Sequence, residues 1–293
     1  MKNLTLWEED SSFHSAQASP SKVVNVASVR KLSPFRYPGG KTWLVPEVRI
    51  WLNKLNFRPS YFVEPFAGGA IVALTAIFEN YVDHAVLAEC DEQVADLWQL
   101  ILSDGEWLAE KIMKFEMTRK NVESVLAEKS TLRERGFRTL ILNRVHRGGI
   151  LAPGASMMKA GENGRGLASR WYPETLANRI LEIFHRRKRF TFIFGDALAV
   201  LARYGRSPKN AFFVDPPYTI GGKKAGSRLY TYNEINHDLL FRLLARVKGK
   251  FLTTYDDAPE VQALSDRYGF FVRRVLMKNA HHARQFELLI TRD

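Results

Sequence analysis

The residues best suited to chemistry stand at the end of a short apolar run. Ala211-Phe212-Phe213-Val214 is followed by Asp215-Pro216-Pro217-Tyr218. Such a run reads as a buried strand. Neither proline has an N–H for a sheet ladder, so the strand must end at Asp215. A carboxylate, stiff outward-facing carbonyls and an aromatic plate then meet at a strand's carboxyl end, where open α/β sheets bind ligands. Taken alone, the tetrapeptide could equally be a strand and a proline turn. The chemistry it would support is attack by an exocyclic amine of a base. That nitrogen delocalises its lone pair into the ring and is a poor nucleophile. Two acceptors in line with its N–H bonds, one oxygen of Asp215 and the Pro216 carbonyl, would draw it toward tetrahedral geometry and free the lone pair. Tyr218 would stack on a base swung out of a duplex. The electrophile would be a methylsulfonium, and no metal is required.

A second cluster surrounds glycines. Tyr61–Glu64 reads as a strand and ends in Pro65-Phe66-Ala67-Gly68-Gly69-Ala70; an apolar helix follows to about Phe78, then a strand, Ala85–Ala88, stopped by Glu89. This is a βαβ unit. Gly68 and Gly69 let a ligand approach the backbone at a helix start. Glu89, 21 positions after Gly68, is where an acid would reach a ribose hydroxyl. A tight turn with Glu89 as a solvated strand end is the plain alternative. Residues 66–71 lack G-x-G-x-x-G, which argues against a dehydrogenase. Gly39-Gly40-Lys41-Thr42 imitates a phosphate loop, but position 35 is Phe35 and Pro38 removes an N–H from the cradle. An NTPase is disfavoured, and Lys41 suits a carboxylate better.

These residues need a scaffold, and 293 residues suffice for one large α/β domain carrying a subdomain. Hydrophobic content of 46% supports a full core. Net charge of +12 favours a polyanionic partner over an indifferent basic surface. One cysteine, Cys90, excludes a disulfide framework and a cysteine-rich zinc site. With no membrane-length apolar stretch and no signal-peptide pattern, cytoplasm is the expected location.

Along the chain, residues 1–30 are expected to form a mobile tail. A loop at 33–41 leads into a helix, Thr42–Leu55. Residues 92–187 read as an inserted, mostly helical subdomain, with helices near 92–102, 105–115, 118–129 and 131–144. A Gly- and Arg-rich stretch follows, too long for an ordinary connection. The α/β pattern then resumes. Phe190–Phe194 is a strand ending in Gly195-Asp196-Ala197, and a helix follows. After the Asp215 strand come a Gly/Lys loop and a helix near 236–247 capped by Asn236. Next come a strand, Phe251–Tyr255, a helix, Pro259–Tyr268, and a hairpin pair, Phe270–Leu276 with Phe286–Thr291. The catalytic domain is thus 31–91 joined to 188–293.

Three motifs in this order carry a resemblance. Phe35-Arg36-Tyr37-Pro38-Gly39-Gly40-Lys41, Glu64-Pro65-Phe66-Ala67-Gly68-Gly69 and Asp215-Pro216-Pro217-Tyr218 are similar to the amino-terminal, cofactor and catalytic motifs of the Dam-like, D12 class of N6-adenine DNA methyltransferases. The resemblance spans roughly 33–291. It implies a Rossmann-like S-adenosylmethionine-dependent methyltransferase fold, a mixed but mostly parallel sheet with helices on both faces. It also implies S-adenosylmethionine as donor, S-adenosylhomocysteine as product and no metal. Tyr37 and Lys41 would hold the methionine end. Glu64, Pro65, Phe66, Ala67 and Gly68 would line the pocket, with Glu89 on the ribose and Asp196 on the adenine. Asp215, Pro216, Pro217 and Tyr218 would act on the target adenine. The 92–187 segment would recognise double-stranded DNA, Asn143-Arg144 with Gly148-Gly149 resembling the start of a DNA-entering hairpin. Relatives often carry an arginine a few residues later, where this chain has Leu151-Ala152.

Arg144, Arg147, Lys159, Arg165 and Arg170, with Lys223 and Lys224 after the catalytic motif, are the candidate DNA contacts. Their alternative is a solvated basic loop. Arg228 could join the clamp, and Tyr230 and Tyr232 could stack on bases or belong to the core. His281-His282 lack a third ligand at helical spacing. Cys90 reads as a small buried residue, not a cytosine-methylating nucleophile. The rival readings are the same transfer to cytosine N4 or to an RNA adenine, and a DNA-binding protein that has lost catalysis. A cognate restriction endonuclease is a possible partner, and a monomer or weak dimer is expected.

Overall fold

The computed structural model describes residues 27–127, 131–159, 161, 164, 166–218, 229–232, 234–278 and 284–292, with side chains 277–278 and 284–285 left out. The calls on the 1–26 tail, Arg165, Lys223, Lys224, Arg228, His281 and His282 lie outside these residues.

Seven strands form one sheet: β1 (Tyr61–Glu64), β2 (Ala85–Glu89), β3 (Phe190–Phe194), β4 (Asn210–Val214), β5 (Lys250–Asp256), β6 (Phe271–Lys278) and β7 (Arg284–Thr291). Their order is β3-β2-β1-β4-β5-β7-β6, parallel from β3 to β5, with β7 antiparallel to both neighbours. The order reverses between β1 and β4, which places the carboxyl ends of those strands beside a crevice.

The strand residues are apolar on both faces, as a parallel sheet covered on each side requires. Phe62, Leu87, Ala211, Phe213, Leu252 and Leu289 pack into one core layer; Val63, Val86, Phe212, Val214, Phe251 and Leu288 pack into the other. The first layer lies under α1 (Val45–Lys54), α2 (Ile71–Phe78) and α3 (Glu92–Lys114). It continues without a break into α5 (Leu132–Val145) and α6 (Pro173–His185). The second lies under α7 (Ala197–Tyr204), α8 (His237–Arg246) and α9 (Pro259–Arg267).

Helix starts follow capping chemistry. Asp91 accepts from the backbone N–H groups of Gln93 and Val94 to open α3. Thr131 and Glu134 form a reciprocal capping box at α5. Asn236 caps α8, as expected, through the Leu239 N–H. The helices expected at 92–102 and 105–115 together make up α3, with a kink between them at Asp104, whose backbone is not helical (φ −150°, ψ 44°). The expected 118–129 helix is the shorter α4 (Arg119–Leu126), and α6 was not foreseen. Its apolar face, Leu176, Ala177, Ile180 and Ile183, is buried, but the segment starts at Pro173 after a glycine-rich stretch that obscures its period.

The stretch after α5 is compact. His146 bridges to Met157 in antiparallel fashion, and His146 Nδ1 pairs with the Ile150 carbonyl at 2.8 Å. Gly149 has φ +76°, and a Cβ there would stand 2.1 Å from the Arg36 carbonyl oxygen. Gly154 has φ +83° with open space around it. Gly154→Ala should therefore cost about 1 kcal/mol, the strain of the left-handed backbone alone. Gly149→Ala should cost roughly 2 kcal/mol or more beyond that, because the contact is backbone and cannot yield. Thermal unfolding of the two variants tests the difference; equal losses would mean the 33–41 loop gives way freely.

Candidate active site

The carboxyl ends of β1, β2, β3 and β4 open onto one cavity of about 920 Å³. The Asp215 side chain projects from the end of β4. Its Oδ1 accepts from Tyr218 Oη and from Thr254 Oγ1 on β5, both at 2.7 Å. Its Oδ2 meets Lys41 Nζ at 2.9 Å. Thr253 pairs with Val214 across β4 and β5, so Thr254 falls level with Asp215. Pro216, Pro217 and Tyr218 line the same cavity. Tyr218 stacks on Tyr255 at 5.6 Å between ring centroids, and Tyr255 Oη pairs with His237 Nδ1 at 3.0 Å. Burial first, then the Asp215 and Glu287 carboxylates, holds the Tyr218 hydroxyl well above its ordinary range, so it stays a donor.

Lys41 arrives from a short 3₁₀ turn, Lys41–Leu44, that precedes α1. Its ammonium also donates to the Gly39 carbonyl at 3.0 Å and lies 5.0 Å from the Tyr218 ring centroid. Burial presses the ammonium down, but Asp215 and then Glu287 outweigh it and leave its pKa raised. The carboxylate that Lys41 meets in the structure is the chain's own Asp215 and not a ligand's.

The glycine turn differs from expectation in one respect. Three of its N–H groups are occupied internally: Ala67 donates to the Ala88 carbonyl, Gly68 to Glu89 Oε2 at 3.0 Å and Ala70 to the Ala67 carbonyl. Trp98 Nε1 of α3 takes the Gly68 carbonyl at 2.8 Å. Gly68 is needed for close approach: at φ +45°, a Cβ would lie 2.7 Å from the Tyr37 ring. The turn therefore offers a ligand backbone surface more than an anion cradle. Phe66, Ala67 and Gly68 line the cavity, whereas Pro65 is buried and takes no part in the lining. Pro65 follows directly on β1 and its ring goes into the protein.

Glu89 accepts Gly68 N–H on Oε2 and the Cys90 and Asp91 N–H groups on Oε1 at 2.9 and 3.0 Å. A second lone pair on Oε2 remains for a ligand hydroxyl. Burial raises the Glu89 carboxyl despite these bonds. Glu64 receives the Ala73 N–H of α2 at 2.8 Å and is raised by burial as well. Asp196 caps α7 through Leu198 N–H at 3.0 Å and lines the cavity edge. Cys90, expected buried, is exposed, because β2 ends at Glu89 and residue 90 has left the sheet.

The candidate DNA residues do not all lie on the surface. Arg144 is 6% exposed; its guanidinium donates to the Pro34 carbonyl, and burial, Arg36, Arg179 and Arg170 press its pKa down to about 9. As placed, it supports the 33–41 loop from α5. Arg170 is half-buried and donates to the His146 carbonyl at 3.1 Å; Arg147 and Lys159 are exposed. Next to Arg144, Asn143 is fully buried. Its amide accepts from Arg36 N–H at 2.8 Å and donates to the Arg36 and Gly149 carbonyls at 3.0 and 2.8 Å. Tyr230 donates to the Pro38 carbonyl at 3.0 Å and packs on Tyr37, which accounts for it structurally; Tyr232 is exposed.

Two site residues escaped the sequence reading. Thr254 lies in a strand that reads as plain core. Glu287 lies on β7 among Phe286, Leu288, Leu289 and Ile290, 5% exposed, with Oε1 3.9 Å from Lys41 Nζ and Oε2 without a hydrogen-bond partner among the described residues. A lone charge inside an apolar strand is a usable signal, since buried charges need partners.

The model of the family D12 class N6 adenine-specific DNA methyltransferase matches residues 37–279, and the chain belongs to that family. Among curated proteins no sequence matches it. Two solved structures resemble it at low identity and low TM-score. The rRNA methyltransferase aviRa from Streptomyces viridochromogenes has 13% identity, 87% of this chain and 86% of that chain covered, and TM-score 0.40. PH1948 from Pyrococcus horikoshii has 10% identity, 88% and 84% covered, and TM-score 0.39. The family match and the strand order define a Rossmann-like, S-adenosylmethionine-dependent methyltransferase fold.

The donor set fits that cofactor. Among the described residues, the cavity is lined by seven carboxylic side chains, among them Glu64, Glu89, Asp196 and Glu287, and by two basic ones, Arg36 and Lys41. This lining suits a cationic sulfonium. Among the described residues no group of three metal-ligating side chains converges, and no helix is long and apolar enough to cross a membrane.

Burial, opposed by Lys41 and reinforced by Asp215, raises the Glu287 carboxyl from 4.5 to about 7. The folded protein therefore binds a proton that the unfolded chain has lost. The associated stability is complete below the unfolded value of about 4.5 and lost as pH rises through about 7. Relative to Glu287→Gln, the wild type should lose ~3 kcal/mol across that interval. Denaturant unfolding of both proteins at pH 5 and pH 8 tests it; parallel pH curves would refute the assignment.

Proposed function

We propose that the protein transfers a methyl group from S-adenosylmethionine to N6 of an adenine swung out of double-stranded DNA. The observation that carries this reading is the Asp215 carboxylate, held at the end of β4 by three donors and facing the cavity. The cofactor, when bound, supplies a methyl group on a positively charged sulfur. Asp215 would accept one amine hydrogen and the Pro216 carbonyl the other, so the nitrogen's lone pair turns toward the methyl group. Tyr218, backed by Tyr255, offers a fixed plate for the base. Glu89 would hold a ribose hydroxyl with its remaining lone pair, and Tyr37 and Lys41 would border the methionine end. Displacement would be direct, with no covalent enzyme intermediate, and the amine's surplus proton would leave along the acceptor that bound it.

The helical segment at 92–187 would be the target-recognition part, with exposed Arg147 and Lys159 on DNA. The net charge of +12 supports a polyanionic partner. Binding to duplex DNA should then weaken steeply with salt, the logarithm of affinity falling by about 0.9 per neutralised phosphate for each unit of log salt. Fluorescence anisotropy at several salt concentrations measures the slope, and a flat response would contradict the use made of the charge.

The decisive experiment incubates the protein with S-adenosylmethionine and duplex DNA, digests the product to nucleosides and identifies the methylated base by mass. N6-methyladenine is expected. N4-methylcytosine, or methylation confined to RNA, would favour the corresponding amine instead. Asp215→Ala should lower turnover by at least ~100-fold while calorimetry still detects cofactor binding. Undiminished turnover would remove Asp215 from the mechanism. Failure of the wild type to bind the cofactor would mark a DNA-binding protein without catalysis.

A further inference from the structure

In this arrangement Asp215 is crowded. Oδ1 has two lone pairs and two donors, Tyr218 and Thr254. An amine hydrogen must therefore go to Oδ2, where the Lys41 ammonium already sits at 2.9 Å and draws on the same electron density. Glu287 is a second carboxylic group near that ammonium. Its Oε1 is 3.9 Å from Nζ, just beyond bonding distance, and its Oε2 is buried without a hydrogen-bond partner among the described residues. A flexible four-carbon side chain between one engaged carboxylate and one idle carboxylate has two positions available.

We propose that Glu287 is a positioning residue that receives the Lys41 ammonium when the target amine enters, leaving Asp215 Oδ2 free to accept an amine hydrogen. The proposal rests on the reading of Asp215 as the amine acceptor. No covalent step is involved: one ion pair is exchanged for another, and the carbonyl of Gly39 can remain bonded to Lys41 throughout. Only the ionised form of Glu287 attracts the ammonium, so the exchange depends on pH. The groups that face Glu287 are Lys41 from the 3₁₀ turn, Asp215 from the end of β4, Asp256 opposite on β5, and the hydroxyls of Tyr218 and Tyr230. Its partner on β6 is the uncharged Val275. Burial is the largest influence and sets the carboxyl at about 7. Turnover should accordingly rise with pH through that value.

The test compares wild type, Glu287→Gln and Glu287→Asp in single-turnover methylation, with cofactor affinity measured by calorimetry. Glu287→Gln keeps the shape without the charge. It should slow methyl transfer on the order of tenfold to a hundredfold, the scale of misplacing a catalytic group by about 1 Å, while cofactor affinity stays within about twofold. The limb near pH 7 should vanish. Glu287→Asp, with a shorter reach, should keep the limb at a reduced rate. Infrared spectra of the cofactor-free protein give a readout independent of turnover: a protonated-carboxyl band should titrate away near pH 7 in wild type and be missing in Glu287→Gln. A Glu287→Gln enzyme with wild-type rate and an unchanged limb overturns the proposal, as does a rate loss explained wholly by weaker cofactor binding. Should Glu287→Gln not fold, loss of the limb in Glu287→Asp overturns it instead. A wild type that methylates another amine sinks the adenine reading alone, because the same comparison can be run on that product. Full activity of Asp215→Ala sinks the acceptor reading, whereas the infrared titration still reports on Glu287.

Discussion

A buried ammonium between two carboxylates sets the terms for the rest of the site. Taking Lys41 and Asp215 out of water costs several kcal/mol per ion, and only tight geometry offsets it. The protein supplies that geometry from four separate elements. The 3₁₀ turn gives Lys41, β4 gives Asp215, β5 gives Thr254 and β7 gives Glu287. Each is fixed by sheet register or by a turn, so the cluster cannot form until β4, β5 and β7 are paired. Breaking one partner would leave the others charged and desolvated, which is the more costly error.

The same cluster depends on how the 33–41 loop is held, and the helical segment does part of the holding. Asn143 of α5 bonds both backbone groups of Arg36 and ties them to Gly149. Arg144 reaches the Pro34 carbonyl, Arg179 the Ser33 carbonyl, and Trp98 the Gly68 carbonyl beneath Tyr37. The loop that delivers Lys41 is thus shared between the sheet and the helices. On the proposed reading, a helical segment distorted by the wrong DNA would pull on Arg36 and so on Lys41. Cofactor site and recognition segment would then be mechanically linked through one short peptide.

The fold was legible because its signals are local. Parallel strands show as unbroken apolar runs, and glycine or proline (for β2, the acidic Glu89) stops them at the ligand edge, so β1, β2, β3 and β4 could be placed within a residue or so. That Asp215, Lys41 and Glu89 would face one cavity was legible because ligand crevices in such sheets open at strand ends and turns. Thr254 and Glu287 were harder, since their role comes from β5 and β7 lying beside β4, a pairing distant in sequence. Arg144 misled for the opposite reason. A basic residue near glycines looks like a nucleic-acid contact, and nothing local reveals that α5 turns it toward Pro34. Cys90 failed by one position, because burial changes abruptly where a strand ends.

Charge is segregated within the molecule, and the segregation bears on what can enter. The chain carries +12 overall, yet its cavity has an acidic lining. Part of that acidity is muted, because burial raises Glu64, Glu89 and Glu287. A nucleoside triphosphate would meet the remaining carboxylates, and in the Gly39-Gly40-Lys41-Thr42 imitation of a phosphate loop the Gly40 N–H already donates to the Tyr37 carbonyl while Lys41 is paired with Asp215. A cationic sulfonium meets the opposite field. The phosphates of a duplex would be drawn to the basic exterior and repelled from the pocket itself, so a base would have to leave the stack to reach Asp215. On the proposed reading, that division of charge favours admitting the base and the cofactor while the nucleic-acid backbone stays outside.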